Sequence, residues 1–390
     1  MHRAFRYRFY PTPEQETFLR RTFGCVRLVF NKALDARSTA WATESKSISY
    51  VQTNKLLTGW KKQDDLRFLN EVSSVPLQQT LRNLQTAFSN FFNKRARYPK
   101  FKKKRNGGSA EFTRSAFRFR NGQLFLAKSK EPLAIRWSRQ LPVGASPSSV
   151  TVSLSPAGRW HVSLLVDDPT IQPLPKVENC VGVDLGLKSL LITSEGEKIT
   201  NPRHFNKQRQ RLAKAQKRLA KKQKGSANRQ KARVRVARIH SKIVDTRRDH
   251  LHKLTTRLVK ENQLIAVEDL CIKGMLRSKR YSRSIADASW GELVRQLKYK
   301  SDWYGRTLVK VDRFFPSSKT CSACGHIVES MPESIRDWEC PSCGAQHDRD
   351  LNAAKNILAA GLAVTACGAP VRPNSRKRGR HGQGSRKTQL

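Results

Sequence analysis

The chain has 390 residues and carries 76 Lys or Arg against 30 Asp or Glu, a formal net charge of +46. So large an excess goes beyond what solubility requires and fits a polyanionic partner. The length and a 38% hydrophobic share provide for two or three domains with real cores, which excludes a purely RNA-embedded tail protein, and no amphipathic helix dominates as a membrane-surface protein would need.

The opening "MHRAFRYRFYPTPEQ" has no apolar h-region, so no signal peptide is expected. The weakly polar run Ile357 to Ala369 is too short to span a bilayer and reads as a buried helix. Four cysteines (Cys25, Cys180, Cys271, Cys367) are scattered singly and four form two C-x-x-C pairs, a pattern that fits a reducing, cytoplasmic compartment. "RAFRYRFYP" alternates as a short strand. Thr12-Pro13-Glu14-Gln15 then offers an N-cap, a proline at the first helical position and a capping-box glutamine. Leu19, Phe23, Val26, Phe30 and Ala33 form one helical stripe, and Leu77, Leu81, Leu84, Phe88 and Phe91 a second from near Pro76; both read as core. "RARYPKFKKKRNGGS" ends the helical region. Its Tyr98 and Phe101 among cations suit phosphate contact with base stacking, and a solvated linker is an equal reading.

From Glu111 to Asp168, short alternating runs broken by Asn-Gly, Pro-Val-Gly and Pro-Ala-Gly predict hairpins of a small β-barrel, which the first strand could join. "DDPTIQPLPKVE" marks a boundary. In "CVGVDLGLKSLL", Asp184 ends an apolar run, where a carboxylate is costly unless hydrogen bonds or a cation compensate it. Residues 207–248 are helical, broken at "KGSAN", with 17 Lys or Arg and the single acid Asp245. Val236, Ile239 and Ile243 share one face, continued by Leu251, Leu254 and Leu258, so the remaining positive surface favours nucleic-acid contact. "QLIAVEDL" is another buried strand ending in carboxylates, Glu268 and Asp269. An amphipathic helix with Trp290, Leu293 and Leu297 and the strand "RTLVKVDRFF" follow.

Cys321-x₂-Cys324 and Cys340-x₂-Cys343 are separated by fifteen residues, each pair followed by glycine (Gly325, Gly344). Two such pairs close a tetrahedral Cys₄ zinc site with no open position, so the zinc is structural. His326 and His347 are superfluous to it. Chemistry then falls to three acids on separate elements: Asp184, Glu268 and Asp350, the last opening the helix "DLNAAKNILAAGLAV". The acids of these segments also have ordinary readings: Asp348 as an N-cap, Asp269 as a cap on its turn, Asp350 as a first-turn acid favoured by the helix dipole. Together, three carboxylates in a basic protein suit two divalent cations, Mg²⁺ or Mn²⁺, that align water and a scissile phosphate.

"VGVDLGLKSLL", "IAVEDL" and "VDRFFPSSKTCSACG…WECPSCGAQHDRDLNAAKNI" resemble the RuvC-type nuclease core of the TnpB family, transposon-encoded RNA-guided DNA endonucleases related to the type V CRISPR effectors. "FYPTPEQETFLRRTFGCVRLVFN" and "YPKFKKKR" are similar to that family's opening helices, so the match spans nearly the whole chain. The resemblance implies an α/β multidomain protein: an RNase H-like core with a zinc ribbon inserted before the last helix, beside an N-terminal β-barrel carrying a helical insertion. The boundaries expected are 1–10 and 109–174 for the barrel, 11–108 for the insertion, 175–366 for the nuclease with its ribbon at 318–347, and 367–390 for a basic disordered tail. It further implies Asp184, Glu268 and Asp350 as catalytic metal ligands, a guide RNA from the same element, double-stranded target DNA and a short target-adjacent motif. A nuclease-inactive RNA-guided repressor and a DD(E/D)-type transposase are the rivals.

Overall fold

A computed structural model describes residues 1–366 except Glu333. The chain divides into two compact units, Met1–Gln172 with Phe205–Thr246, and Pro173–His204 with the residues from Arg247 onward. The expected tail falls outside the described residues.

The first unit opens with β1 (His2–Phe9) and α1 (Pro13–Glu44). The predicted capping box is present: Thr12 Oγ1 accepts from Gln15 N at 3.3 Å and Gln15 Oε1 accepts from Thr12 N at 3.2 Å. All five stripe residues of α1 are buried. The short helix α2 (Tyr50–Trp60) has its own capping box, Ser49 with Gln52, and precedes α3 (Ser74–Phe92). The strands are β2 (Gly108–Thr113), β3 (Phe117–Arg120), β4 (Gln123–Leu126), β5 (Ile135–Arg136), β6 (Pro147–Leu154) and β7 (Trp160–Asp167). Four of them join β1 in one antiparallel sheet of order β2-β6-β7-β1-β5, with β3–β4 a separate hairpin.

The expected barrel is not closed. Among the described residues β2 and the two-residue β5 remain the sheet's edges. Side chains of α1 and α3 such as Phe23, Val26, Leu81 and Leu84 share one core with Phe112, Val150 and Val162 of the sheet. Helices therefore cover the apolar face that a closing sheet would otherwise bury.

Next come β8 (Cys180–Asp184), β9 (Ser189–Thr193) and β10 (Lys198–Thr200), then α4 (His204–Ala220) and α5 (Ala227–Glu261), the basic helices read from the sequence. β11 (Leu264–Glu268), α6 (Ile272–Met275), α7 (Ser282–Ala288), α8 (Trp290–Tyr304), β12 (Thr307–Val311), β13 (Asp337–Glu339), β14 (Gln346–Asp348) and α9 (Arg349–Ala366) complete the chain. The second unit's sheet has the order β10-β9-β8-β11-β12; β8, β11 and β12 are parallel, β9 and β10 antiparallel.

Both faces of this sheet are covered, which explains why its strands read as apolar runs. Val181, Val183, Ile265 and Val267 pack on one side against Leu251, Leu254 and Leu258 of α5 and Trp290, Leu293 and Leu297 of α8. On the other side Leu264, Ala266, Val309 and Val311 meet Ile357 of α9. Gly182 is what lets α9 sit so close. A Cβ there would lie 2.1 Å from the Ala354 carbonyl oxygen and 2.6 Å from the Leu358 amide nitrogen. Gly182→Ala is expected to push α9 outward and cost about 1–3 kcal/mol of stability, read as a lower denaturation midpoint; an unchanged midpoint would mean this packing is not present in solution.

Candidate active site

Val183 pairs with Val267 in parallel register, so the next residues, Asp184 and Glu268, leave the sheet side by side at its carboxyl edge. Strand alternation puts Asp184 on the face of Gly182, and Glu268 on the face of Leu264 and Ala266; this is the face α9 covers. Asp350 lies in the first turn of α9. All three acids line one cavity of about 430 Å³, with Arg336, Arg349, Ser317 and Ser318 as polar lining and Met275, Ile285 and Trp290 as an apolar wall. Carboxyl ends of parallel strands are where open α/β sheets place their ligands.

Each acid is held differently. Glu268 Oε1 accepts from Ser317 Oγ at 2.6 Å, and Asp350 Oδ1 accepts from Arg336 Nη1 at 2.7 Å. The Asp184 carboxyl is pushed up to about 7 by burial and by the neighbouring charges of Glu268 and Asp350. A cation would relieve that repulsion, and the donors are hard oxygens, so the residues fit Mg²⁺ or Mn²⁺. The acids around the site have other tasks. Asp348 caps α9, its Oδ1 accepting from Asp350 N at 3.0 Å and Leu351 N at 2.9 Å, and its Oδ2 from Lys198 at 2.6 Å. Asp269 does not cap its turn; it pairs with Lys310 at 3.2 Å and Arg313 at 2.5 Å.

The raised Asp184 carboxyl has a consequence for stability. The metal-free folded protein keeps a proton that the unfolded chain releases near pH 4, so stability falls as pH rises from about 4 to about 7 and the loss is complete above that. Asp184→Asn removes the ionisation. In metal-free buffer its thermal midpoint is expected to exceed that of the wild type near pH 8, and the difference to shrink near pH 5, each on the order of one unit from the ends of that window. An equal difference at both pH values counts against this reading.

Among the described residues, the four cysteines Cys321, Cys324, Cys340 and Cys343 have ligand atoms all within 4.8 Å of one another, a cluster able to hold zinc. The two turns are built alike. Cys321 N donates to His326 O at 2.8 Å and Gly325 N to Cys321 O at 2.9 Å; Cys340 N donates to Ala345 O and Gly344 N to Cys340 O, both at 2.9 Å. Gly325 and Gly344 take φ of 79° and 70°, which explains the glycine after each pair. His347 Nε2 lies 3.0 Å from Cys321 Sγ, beside the cluster, with its ring tilted against Trp338. The ribbon interrupts the chain between β12 and α9, so its last strand runs straight into the turn bearing Asp350.

Several residues of the site escaped the sequence reading. Ser317 and Arg336 come from loops of no regular period. Asn352 and Asn356 are buried in α9: Asn352 Nδ2 donates to Thr320 O at 2.7 Å, and Asn356 Nδ2 to Thr320 O at 2.6 Å and Ser317 O at 2.8 Å. Two asparagines four apart on the apolar face of a helix were the available signal, since buried amides require partners.

In the first unit, α4 and α5 meet through a thin seam of Leu212, Ala215, Ile239 and Ile243. Around it a cleft of about 530 Å³ is lined by Arg159, Arg211, Lys214, Arg218, Arg235, Arg238 and Lys242, with Asp245 the sole acid and already paired to Arg159 at 2.5 Å. Such a surface attracts phosphates.

A Streptomyces pristinaespiralis protein named as a candidate RNA-guided DNA endonuclease is 58% identical over 384 residues, covering 98% of this chain and 95% of its own. The chain belongs to the TnpB/IS605 OrfB family. Family profiles match at residues 161–279 (IS605 OrfB, described as "Probable transposase"), 290–357 (Cas12f1-like, TNB domain) and 1–46 (helix-turn-helix domain). Escherichia coli K12 InsQ, also named as a candidate RNA-guided DNA endonuclease, is 34% identical and covers 94% of each chain. The fold of this TnpB-family chain resembles the protein in the cryo-EM structure of a Cas12f1–sgRNA–target DNA complex, with a TM-score of 0.58 at 14% identity, covering 92% of this chain and 98% of that one. No helix among the described residues is long and apolar enough to cross a membrane.

Proposed function

We propose that this protein is an RNA-guided DNA endonuclease whose hydrolytic site is Asp184, Glu268 and Asp350. The observation that carries the reading is the convergence of these acids, from two parallel strands and a helix, on one cavity where burial and the neighbouring carboxylates oppose the ionisation of Asp184. The names of full-length relatives at 58% and 34% identity support the activity. The sheet order β10-β9-β8-β11-β12 with helices on both faces supports an RNase H-like (RuvC) core. We assign residues 175–366 to it, apart from Phe205–Thr246, which belong to the first compact unit, with the Cys₄ ribbon at 318–347 holding a structural zinc, and residues 11–108 to a helical recognition insertion between β1 and the sheet of 109–174.

Divalent cations held by the three carboxylates would supply Lewis acidity at the scissile phosphate and lower the pKa of an attacking water. The chain's own residues prepare that chemistry. Ser317 orients Glu268 through its hydroxyl. Arg336 neutralises Asp350 and, with Arg349, gives the cavity a positive side for a phosphate. Met275, Ile285 and Trp290 exclude water from one wall. Base pairing to a guide RNA from the same element would select the sequence, while the protein reads backbone and a short flanking motif. The basic cleft of α4 and α5 would meet that RNA or DNA through phosphates.

The test is to purify the protein with RNA expressed from its own locus, sequence that RNA, and incubate the complex with matching DNA and Mg²⁺. Guide-dependent hydrolysis is expected. Joining of a 3′ end to target DNA would instead establish a transposase, the reading suggested by the description of the 161–279 match; guided binding without cleavage would establish a repressor. Nucleic-acid affinity is expected to fall steeply with salt, losing about 10³-fold or more between 50 and 200 mM if six or more phosphates are contacted. A flat dependence would leave the cations of the cleft without a role.

A further inference from the structure

Residues 94–105, left open in the sequence between a linker and a nucleic-acid contact, are not a loose linker. Asn31 Oδ1 accepts from Lys102 N at 2.8 Å, and Asn31 Nδ2 donates to Lys102 O at 3.1 Å. Two turns further along α1, Ser38 Oγ lies 2.8 Å from Tyr98 OH. The run is thus pinned alongside α1 for about 10 Å, antiparallel to it. It carries eight Lys or Arg in twelve residues and no acid. Among the described residues none of the eight pairs with a carboxylate.

Beside these cations lies a cluster of rings. Tyr98 meets Phe88 edge-on at 5.5 Å and Phe91 at 5.3 Å; Phe92 stacks near Phe88 at 6.2 Å and lies tilted against Phe91 at 5.3 Å. Phe88 is core, and Arg37 lies over its ring at 4.1 Å. Phe92, by contrast, is 69% exposed and Tyr98 44%. Helices α1 and α3 run parallel, since Arg21 pairs with Glu71 and Arg37 with Gln85. Trp41, one turn beyond Arg37 and 63% exposed, therefore projects at the same end as Phe92, one turn beyond Phe88. Folding gains nothing from leaving rings this large in water. Exposed flat rings beside a run of cations that meet no carboxylate are complementary to a polymer with phosphates outside and π faces between them.

We propose that Phe92, backed by Phe91 and Tyr98, is a stacking platform for an unpaired or strand-end nucleobase of a bound polynucleotide whose phosphates are held by residues 94–105. The proposal takes its polynucleotide from the function argued above and adds a base-binding site remote in sequence from the three carboxylates. Stacking on a ring needs no base-edge hydrogen bond, so the platform tolerates any base.

The experiment uses the full-length protein and a single-stranded oligonucleotide carrying 2-aminopurine at successive positions. Wild type is expected to change the fluorescence at one position markedly more than at the others. Phe92→Ala is expected to weaken binding about tenfold and abolish that change, Phe92→Leu to do the same, and Phe92→Trp to restore both. Because Phe92 is mostly exposed, its variants are expected to keep the wild-type thermal midpoint. Lys103→Ala with Lys104→Ala is expected to reduce the salt slope and leave the fluorescence change at saturation. Heparin, which has charge without bases, is expected to bind Phe92→Ala and wild type equally. Unchanged oligonucleotide affinity and fluorescence in Phe92→Ala, or a Phe92→Leu variant indistinguishable from wild type, overturns the proposal; the latter would point to apolar contact, as with a protein partner. Asp184→Ala is expected to stack the base as wild type does, so loss of cleavage and loss of stacking are separable.

Discussion

Asp184→Ala or Asp350→Ala is expected to reduce Mg²⁺-dependent DNA cleavage by about 1000-fold or more while guide and target binding persist. The size follows from losing cation charge stabilisation worth several kcal/mol at about 1.4 kcal/mol per factor of ten. The two positions fail for different physical reasons. The ionisation of Asp184 is opposed by burial and by its neighbours, a cost that a cation would offset. Asp350 is held by Arg336, and its removal also frees that arginine from its partner. Cleavage of a radiolabelled duplex under single-turnover conditions measures the effect, with a gel-shift assay on the same samples for binding. Cleavage surviving either change would place the chemistry elsewhere in the chain.

Cys340→Ser, or removal of zinc by a chelator, is expected to unfold the ribbon while the two larger cores stay folded. Among the described residues, the ribbon's own apolar core is Cys321, Trp338 and Cys340, with Val328, Met331 and Ala345 packed on it. A cluster this small is a weak core for some thirty residues, so a zinc ion held by the four cysteines is expected to be what keeps the ribbon folded. The expected readouts are a changed Trp338 emission, protease cleavage confined to 318–347, and loss of activity, since the strand leading into Asp350 belongs to the ribbon. Full activity in a zinc-free Cys340→Ser protein would show that the ribbon has no part in shaping the site.

The legible parts of the chain were those with short-range physical rules. The α1 capping box needs only Thr12 and Gln15, three residues apart, and it formed as expected. The knuckle glycines reflect a local backbone conformation. The acids at the ends of β8 and β11 stood out because a carboxylate finishing an apolar run is costly wherever the strand lies. Parts that depend on what packs against what were less legible. The barrel expected from alternating strands is an open sheet, because α1 and α3 occupy its apolar face, and alternation marks a face without naming its cover. The helix α2 was passed over for want of a long stripe; three of its residues, Thr53, Leu57 and Trp60, are buried.

By itself the sequence determined a basic protein of several cores, a Cys₄ knuckle pair and three suspect carboxylates, because charge, ligand spacing and burial periodicity are written in neighbouring residues. Only the tertiary structure decided that these acids share one cavity. That depends on the parallel register of β8 and β11, which aligns Asp184 with Glu268, and on Gly182, whose missing side chain admits α9 and brings Asp350 to the same edge. Contacts across more than 160 residues of chain have no local signature, and here backbone spacing against a single glycine sets them.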